Sequence, residues 1–70
     1  MAIEKITLAA ARKNRFMSQK ALAQKLGVSE ATVVNWEKGR SEPSVFQAYK
    51  IADAVGMSLD DIIFLPKSYD

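Results

Sequence analysis

Apolar residues recur along this chain with helical spacing, and its β-branched residues are scattered rather than alternating, which predicts helices throughout. Leu8, Ala11 and Arg12 fall on one side of a first helix over about 7–14, with Thr7 as its N-cap. Ser18 caps a second helix, 19–26, in which Ala21, Leu22, Ala23 and Leu26 form an inward stripe. Gly27 ends it, since the residue just past a helix often takes a positive φ. Two residues on, Ser29 caps a third helix over about 30–38, with Val33 and Trp36 inward and Gly39 closing it. Residues 40–43 read as a turn, and Ser44 caps a fourth helix from 45 to 54 or 55 with Ala48, Ile51, Ala52 and Val55 on its apolar face. Gly56 ends that helix, and Ser58 caps a short fifth one holding Leu59, Ile62 and Ile63. The two prolines, Pro43 and Pro66, fall where elements should change. The expectation is an all-α, compact five-helix domain over residues 1–65 with a short C-terminal tail, 66–70.

Composition narrows what such a domain does. Seventy residues make one domain with a thin core. With no cysteine and no histidine, neither disulfides nor zinc reinforce it, so helix packing or dimerisation must. No cofactor and no metal are expected. No apolar run approaches the ~20 residues of a membrane span, and the N-terminus lacks the apolar stretch of a signal peptide. The expected location is the cytoplasm, with no membrane partner.

The net charge of +2 hides an asymmetry. Residues 12–40 carry seven basic side chains against Glu30 and Glu37, a net of +5, whereas residues 41–70 net −3. One face is therefore suited to a polyanion and another is turned away from it.

The informative stretch is 19–36. Two short helices separated by Gly27, Val28 and Ser29 have too tight a turn for antiparallel packing and must cross steeply. Close crossing demands a small residue, which Ala23 supplies, and the turn demands tolerance of positive φ, which Gly27 supplies. Leu22, Leu26, Val28, Val33 and Trp36 form a shared core beneath the corner. This geometry holds a second helix proud of the surface, ready for a major groove about 12 Å wide. A bare αα corner makes the same demands, so the motif alone does not decide function.

The sequence carries Ser18-Gln19, Leu22-Ala23, Lys25-Leu26-Gly27-Val28-Ser29, Thr32-Val33, Trp36-Glu37-Lys38-Gly39-Arg40, Pro43-Ser44, Ile51-Ala52, Gly56 and Ser58-Leu59. With these blocks at these spacings, residues 6–64 resemble the phage lambda repressor and Cro family of helix-turn-helix domains, also called the Xre family. The resemblance implies a recognition helix formed by the third helix, and binding to double-stranded DNA as a two-fold homodimer. Under it, Glu30, Ala31, Thr32 and Asn35 match positions that meet base edges. Asn35 suits a bidentate pair with adenine, Thr32 and Ala31 a thymine methyl, and Glu30 a cytosine amino group. Glu30 has an equal second reading, as a first-turn acid that stabilises the helix dipole. Ser18 and Gln19, at a helix N-terminus, match positions that clamp a phosphate. Lys38, Arg40 and Ser41 match a loop that runs beside the sugar–phosphate backbone, with helix-end charge complementarity and plain solvation as the alternatives. Arg15, Lys13 and Lys20 are further candidates for the same footprint. Arg12 and Glu37 are implied to form a structural ion pair joining the first helix to the third. Trp36 is read as core rather than as a base-stacking residue.

Two departures from the family pattern stand out. Relatives often have glycine where Phe16 stands and a larger aliphatic residue where Ala11 stands. Phe16 either refills the space left by Ala11 or lies exposed beside DNA. Phe46 or Tyr49, with Ile62, Phe64 and Leu65, is a candidate dimer patch.

Catalysis has little to stand on. The commonest general base and the thiol nucleophile are missing, and Asp60-Asp61 follow Ser58 at a helix start, where acids balance the dipole. The expected function is that of a sequence-specific transcriptional regulator, Cro-like or a stand-alone repressor, since no ligand-sensing second domain is present. The alternative is an antitoxin or protein-interaction module that binds a partner protein as well as DNA.

Overall fold

The computed structural model describes residues 5–64. Strand β1 (Ile6–Thr7) leads into α1 (Leu8–Asn14), followed by α2 (Gln19–Leu26), α3 (Glu30–Glu37) and α4 (Val45–Val55). A single 3-10 turn, Leu59–Asp61, then delivers the chain into β2 (Ile62–Ile63).

The helix starts follow from hydroxyl chemistry. A helix leaves its first N–H groups without intrahelical partners, and a side-chain oxygen at the N-cap accepts from one of them. Thr7, Ser18, Ser29 and Ser44 each do so, accepting from the backbone amides of Ala10, Ala21, Thr32 and Gln47. At Ser44 the arrangement is reciprocal. Its own amide donates to Gln47 Oε1 at 2.8 Å while its hydroxyl accepts from the Gln47 amide at 3.1 Å. Gly27, at φ 74°, stops α2 by entering the left-handed region, with its N–H reaching back to the carbonyls of Ala23 and Gln24.

The core is the meeting of one stripe from each helix. Leu8 and Ala11 from α1, Leu22, Ala23 and Leu26 from α2, Val33 and Trp36 from α3, and Ile51, Ala52 and Val55 from α4 are buried together. Val28 packs against this cluster from the turn between α2 and α3. The stripes are those the spacing predicts. Helix α3 packs chiefly on α2, and α2 in turn on α4, so the α2–turn–α3 unit is held from behind by the rest of the fold.

Two expectations fail at the C-terminal end. There are four α-helices among the described residues, not five, and the chain is not helical throughout. The segment after Ser58 makes one 3-10 turn and then extends. Ile62 at φ −105°, ψ 129° enters a parallel bridge with β1, in the register Ile6 to Ile62 and Thr7 to Ile63. The physical reason lies in the residues available. Two β-branched isoleucines followed by Phe64 favour extended backbone over another helical turn. The bridge alternates as a strand should, with Ile62 buried against the core and Ile63 exposed. Ile62 is therefore not free to join a dimer patch, and Phe64 is half-buried and packed against the core. Leu65 and the tail expected at 66–70 lie outside the described residues.

Candidate nucleic-acid interface

The α2–turn–α3 unit places its functional candidates on two edges. Ser18 and Gln19 stand at the start of α2, and Glu30, Ala31, Thr32 and Asn35 run along the front of α3. Glu30 and Ala31 are exposed, while Thr32 and Asn35 are half-buried with one flank to solvent. The Thr32 hydroxyl lies 2.8 Å from that of Ser29, within the cap of its own helix. Asn35 contributes its backbone carbonyl to the N–H of Arg40 at 2.9 Å, and its side-chain amide bonds to none of the described residues. A carboxamide held on a helix with both donor and acceptor uncommitted suits bidentate pairing.

Behind this front a charged network joins three elements. Arg12 on α1 is buried at 7% exposure, a location that a guanidinium tolerates only when it is paired. Its Nε donates to Glu37 Oε2 at 2.7 Å and its Nη2 to Glu37 Oε1 at 3.2 Å, the two-pronged geometry that suits a planar fork. Its Nη1 donates to the carbonyl of Met17 at 2.8 Å, which pins the turn between α1 and α2. Glu37 Oε1 accepts once more, from Gln19 Nε2 at 3.0 Å. Among the described residues no buried side-chain polar atom lacks a partner.

The last bond is one that sequence reasoning missed. Gln19 has two amide protons, and Glu37 takes one of them. The other remains available at the N-terminus of α2, where the free backbone N–H groups and the positive end of the helix dipole already favour an anion. The network thus fixes the orientation of the residue expected to meet phosphate.

Beyond α3 the backbone turns sharply through Gly39, leaving Lys38 and Arg40 exposed and Ser41 half-buried. Leu22, Ala23, Leu26, Val33 and Trp36 lie beneath the corner at 7% exposure or less, so Trp36 belongs to the core. Gly27 has nothing within 4 Å of where a Cβ would sit, so conformation rather than crowding requires a glycine there. Arg15, a candidate for the basic footprint, lays its guanidinium about the end of α4. Its central carbon is 3.5 Å from the position a Cβ on Gly56 would occupy. That places a cation at a helix C-terminus, where it complements the dipole.

The helix-turn-helix family model matches residues 8–62, which include every helix among the described residues. The chain belongs to the helix-turn-helix family. An uncharacterised HTH-type transcriptional regulator of Methanocaldococcus jannaschii is 46% identical over 46 residues, covering 66% of this chain and 70% of that protein. Another, of Methanothermobacter thermautotrophicus, is 40% identical over 55 residues, covering 77% and 80%. A third, of Bacillus subtilis, is 40% identical over 48 residues, covering 69% and 73%. No helix among the described residues is long and apolar enough to cross a membrane.

Proposed function

We propose that this helix-turn-helix protein is a sequence-specific DNA-binding transcriptional regulator that inserts α3 into the major groove of an operator. The observation that carries the reading is the pairing of an α3 front, exposed at Glu30 and Ala31, with an α2 N-terminus held in place by the network of Arg12, Glu37 and Gln19. In this reading Glu30, Ala31, Thr32 and Asn35 meet base edges. Ser18, Gln19, Lys38, Arg40 and Ser41 grip the backbone. The relatives' description as transcriptional regulators supports it, as does the +5 charge of residues 12–40.

The protein would act in the cytoplasm as a homodimer on DNA. Exposed Val45, Phe46 and Tyr49 on α4 offer apolar surface for a protein contact. The same three residues favour a second reading, in which the chain also binds a partner protein as antitoxins do. Two α3 helices related by a two-fold axis would require half-sites about 34 Å apart, one turn of the duplex.

Selection from a randomised duplex library with purified protein at moderate salt tests the proposal. Recovery of an inverted repeat with half-sites one turn apart is the expected result. Recovery of unselected, salt-sensitive DNA alone would overturn sequence specificity and bring the partner-protein reading forward.

A further inference from the structure

Among the described residues, Phe16 is the one whose conformation and surroundings both work against the folded chain. Its backbone sits at φ 57°, the left-handed region that bulky L-residues avoid, and among the described residues it alone does so without being glycine. The turn imposes this geometry. The Phe16 N–H is donated to the carbonyl of Lys13 at 2.9 Å, and the carbonyl of Arg12 accepts the N–H groups of both Arg15 and Met17. Its ring is 96% exposed, so the side chain recovers none of that strain by packing. A glycine here would suit the fold better on both counts. Backbone strain kept in place by its surroundings is a pointer to function rather than to stability.

The surroundings say what the ring is for. Lys13 and Lys20, three and four positions from Phe16 in the chain, are exposed, as is its neighbour Arg15, whose guanidinium lies toward Gly56. No acidic residue occurs anywhere in residues 5–29. A second copy of the chain meeting Phe16 two-fold would bring these cations against themselves, whereas a polyanion would neutralise them. Phe16 and Gln19 are three positions apart, a reach of at most about 11 Å along the chain. A duplex whose phosphate meets the N-terminus of α2 therefore lies within reach of the ring.

Resting on the DNA-binding reading above, we propose that Phe16 is a DNA-contacting residue. Its ring packs against the apolar deoxyribose wall of the duplex, just outside the segment that α3 reads. The contact is apolar and blind to sequence, and it lengthens the footprint beyond the recognition helix.

The test compares the full chain with Phe16→Gly and Phe16→Leu, using urea unfolding and DNA titration on long duplexes of selected and random sequence. Phe16→Gly should raise the unfolding midpoint and yet weaken both duplexes alike, about fivefold, as losing part of an aromatic side chain's apolar burial does. The slope of affinity against salt should stay as in the parent, because no charge is removed. Phe16→Leu should fall between the two. On duplexes trimmed from their ends, parent and Phe16→Gly should converge. If Phe16→Gly binds long DNA as tightly as the parent while Gln19→Ala binds it more weakly, the inference falls and DNA binding stands. If the parent itself binds no duplex, the DNA-binding reading falls with it. A Phe16→Trp variant whose emission shifts with anionic phospholipid vesicles, and not with DNA, would overturn the inference in favour of a membrane surface.

Discussion

Gln19 and Glu37 close the helix-turn-helix from opposite ends, the first residue of α2 donating its side-chain amide to Oε1 of the last residue of α3 at 3.0 Å. Glu37 serves two purposes with one carboxylate. It neutralises Arg12 beneath the surface and aims Gln19 above it. The buried Arg12 and the start of α2 are therefore coupled through one side chain.

Removing Glu37 should cost far more than a surface ion pair. The pair's side chains are 9% and 7% exposed, so Glu37→Ala strands a buried guanidinium, at a cost of about 3–5 kcal/mol. A domain of this length has a total stability of only roughly 4–10 kcal/mol. The double change Arg12→Met with Glu37→Leu should lose less than the two single changes summed, because it leaves no buried charge. Urea midpoints of the parent, both singles and the double would check this. A double variant whose loss equals the sum would mean that the two side chains act independently.

Gly27→Ala should destabilise the domain by about 1 kcal/mol without disturbing its packing. The added methyl meets nothing within 4 Å, so the whole cost lies in forcing an L-residue to φ 74°. The urea midpoint should fall with the slope of the transition unchanged. An effect of several kcal/mol would point to crowding that the geometry does not contain.

Ser44→Ala should lose about 1 kcal/mol, since α4 has a reciprocal cap and not a single bond. Hydrogen exchange should show the loosening first in the amides of Gln47 and Ala48, which donate to the Ser44 hydroxyl and carbonyl, ahead of the buried turn at Ile51. Uniform loss of protection along α4 would mean that packing, not the cap, holds its start.

The sequence announces its helices because each has chemical punctuation. Ser18, Gly27, Ser29, Ser44 and Gly56 mark starts and stops, and the buried stripes between them follow from spacing. What stays hidden depends on distant parts meeting. The β1–β2 bridge pairs two residues near one end of the chain with two near the other, too short a run for any periodicity to register. The bond from Gln19 to Glu37 joins positions 18 apart, and only the crossing of α2 and α3 brings them together. Phe16 shows a third kind of limit. Its exposure and its φ of 57° are set by the turn from α1 to α2, and a phenylalanine carries no local signal that a left-handed residue belongs there.

Asn35→Ala and Gln19→Ala should separate reading from gripping. Asn35 presents an uncommitted carboxamide on the α3 front, so its loss should cost about 1–3 kcal/mol on the selected operator and little on random DNA. Base preference should relax at one position per half-site. Gln19 is held by Glu37 at the N-terminus of α2, and under the proposed phosphate contact its loss should weaken operator and random duplex by similar factors. Neither change removes a charge, and the salt slope should hold in both, unlike Lys38→Ala or Arg40→Ala, where it should drop by about one. Titration of each variant on both duplexes across a salt series distinguishes the roles. Equal losses on operator and random DNA for Asn35→Ala would remove it from base reading and leave the α3 front to Glu30, Ala31 and Thr32.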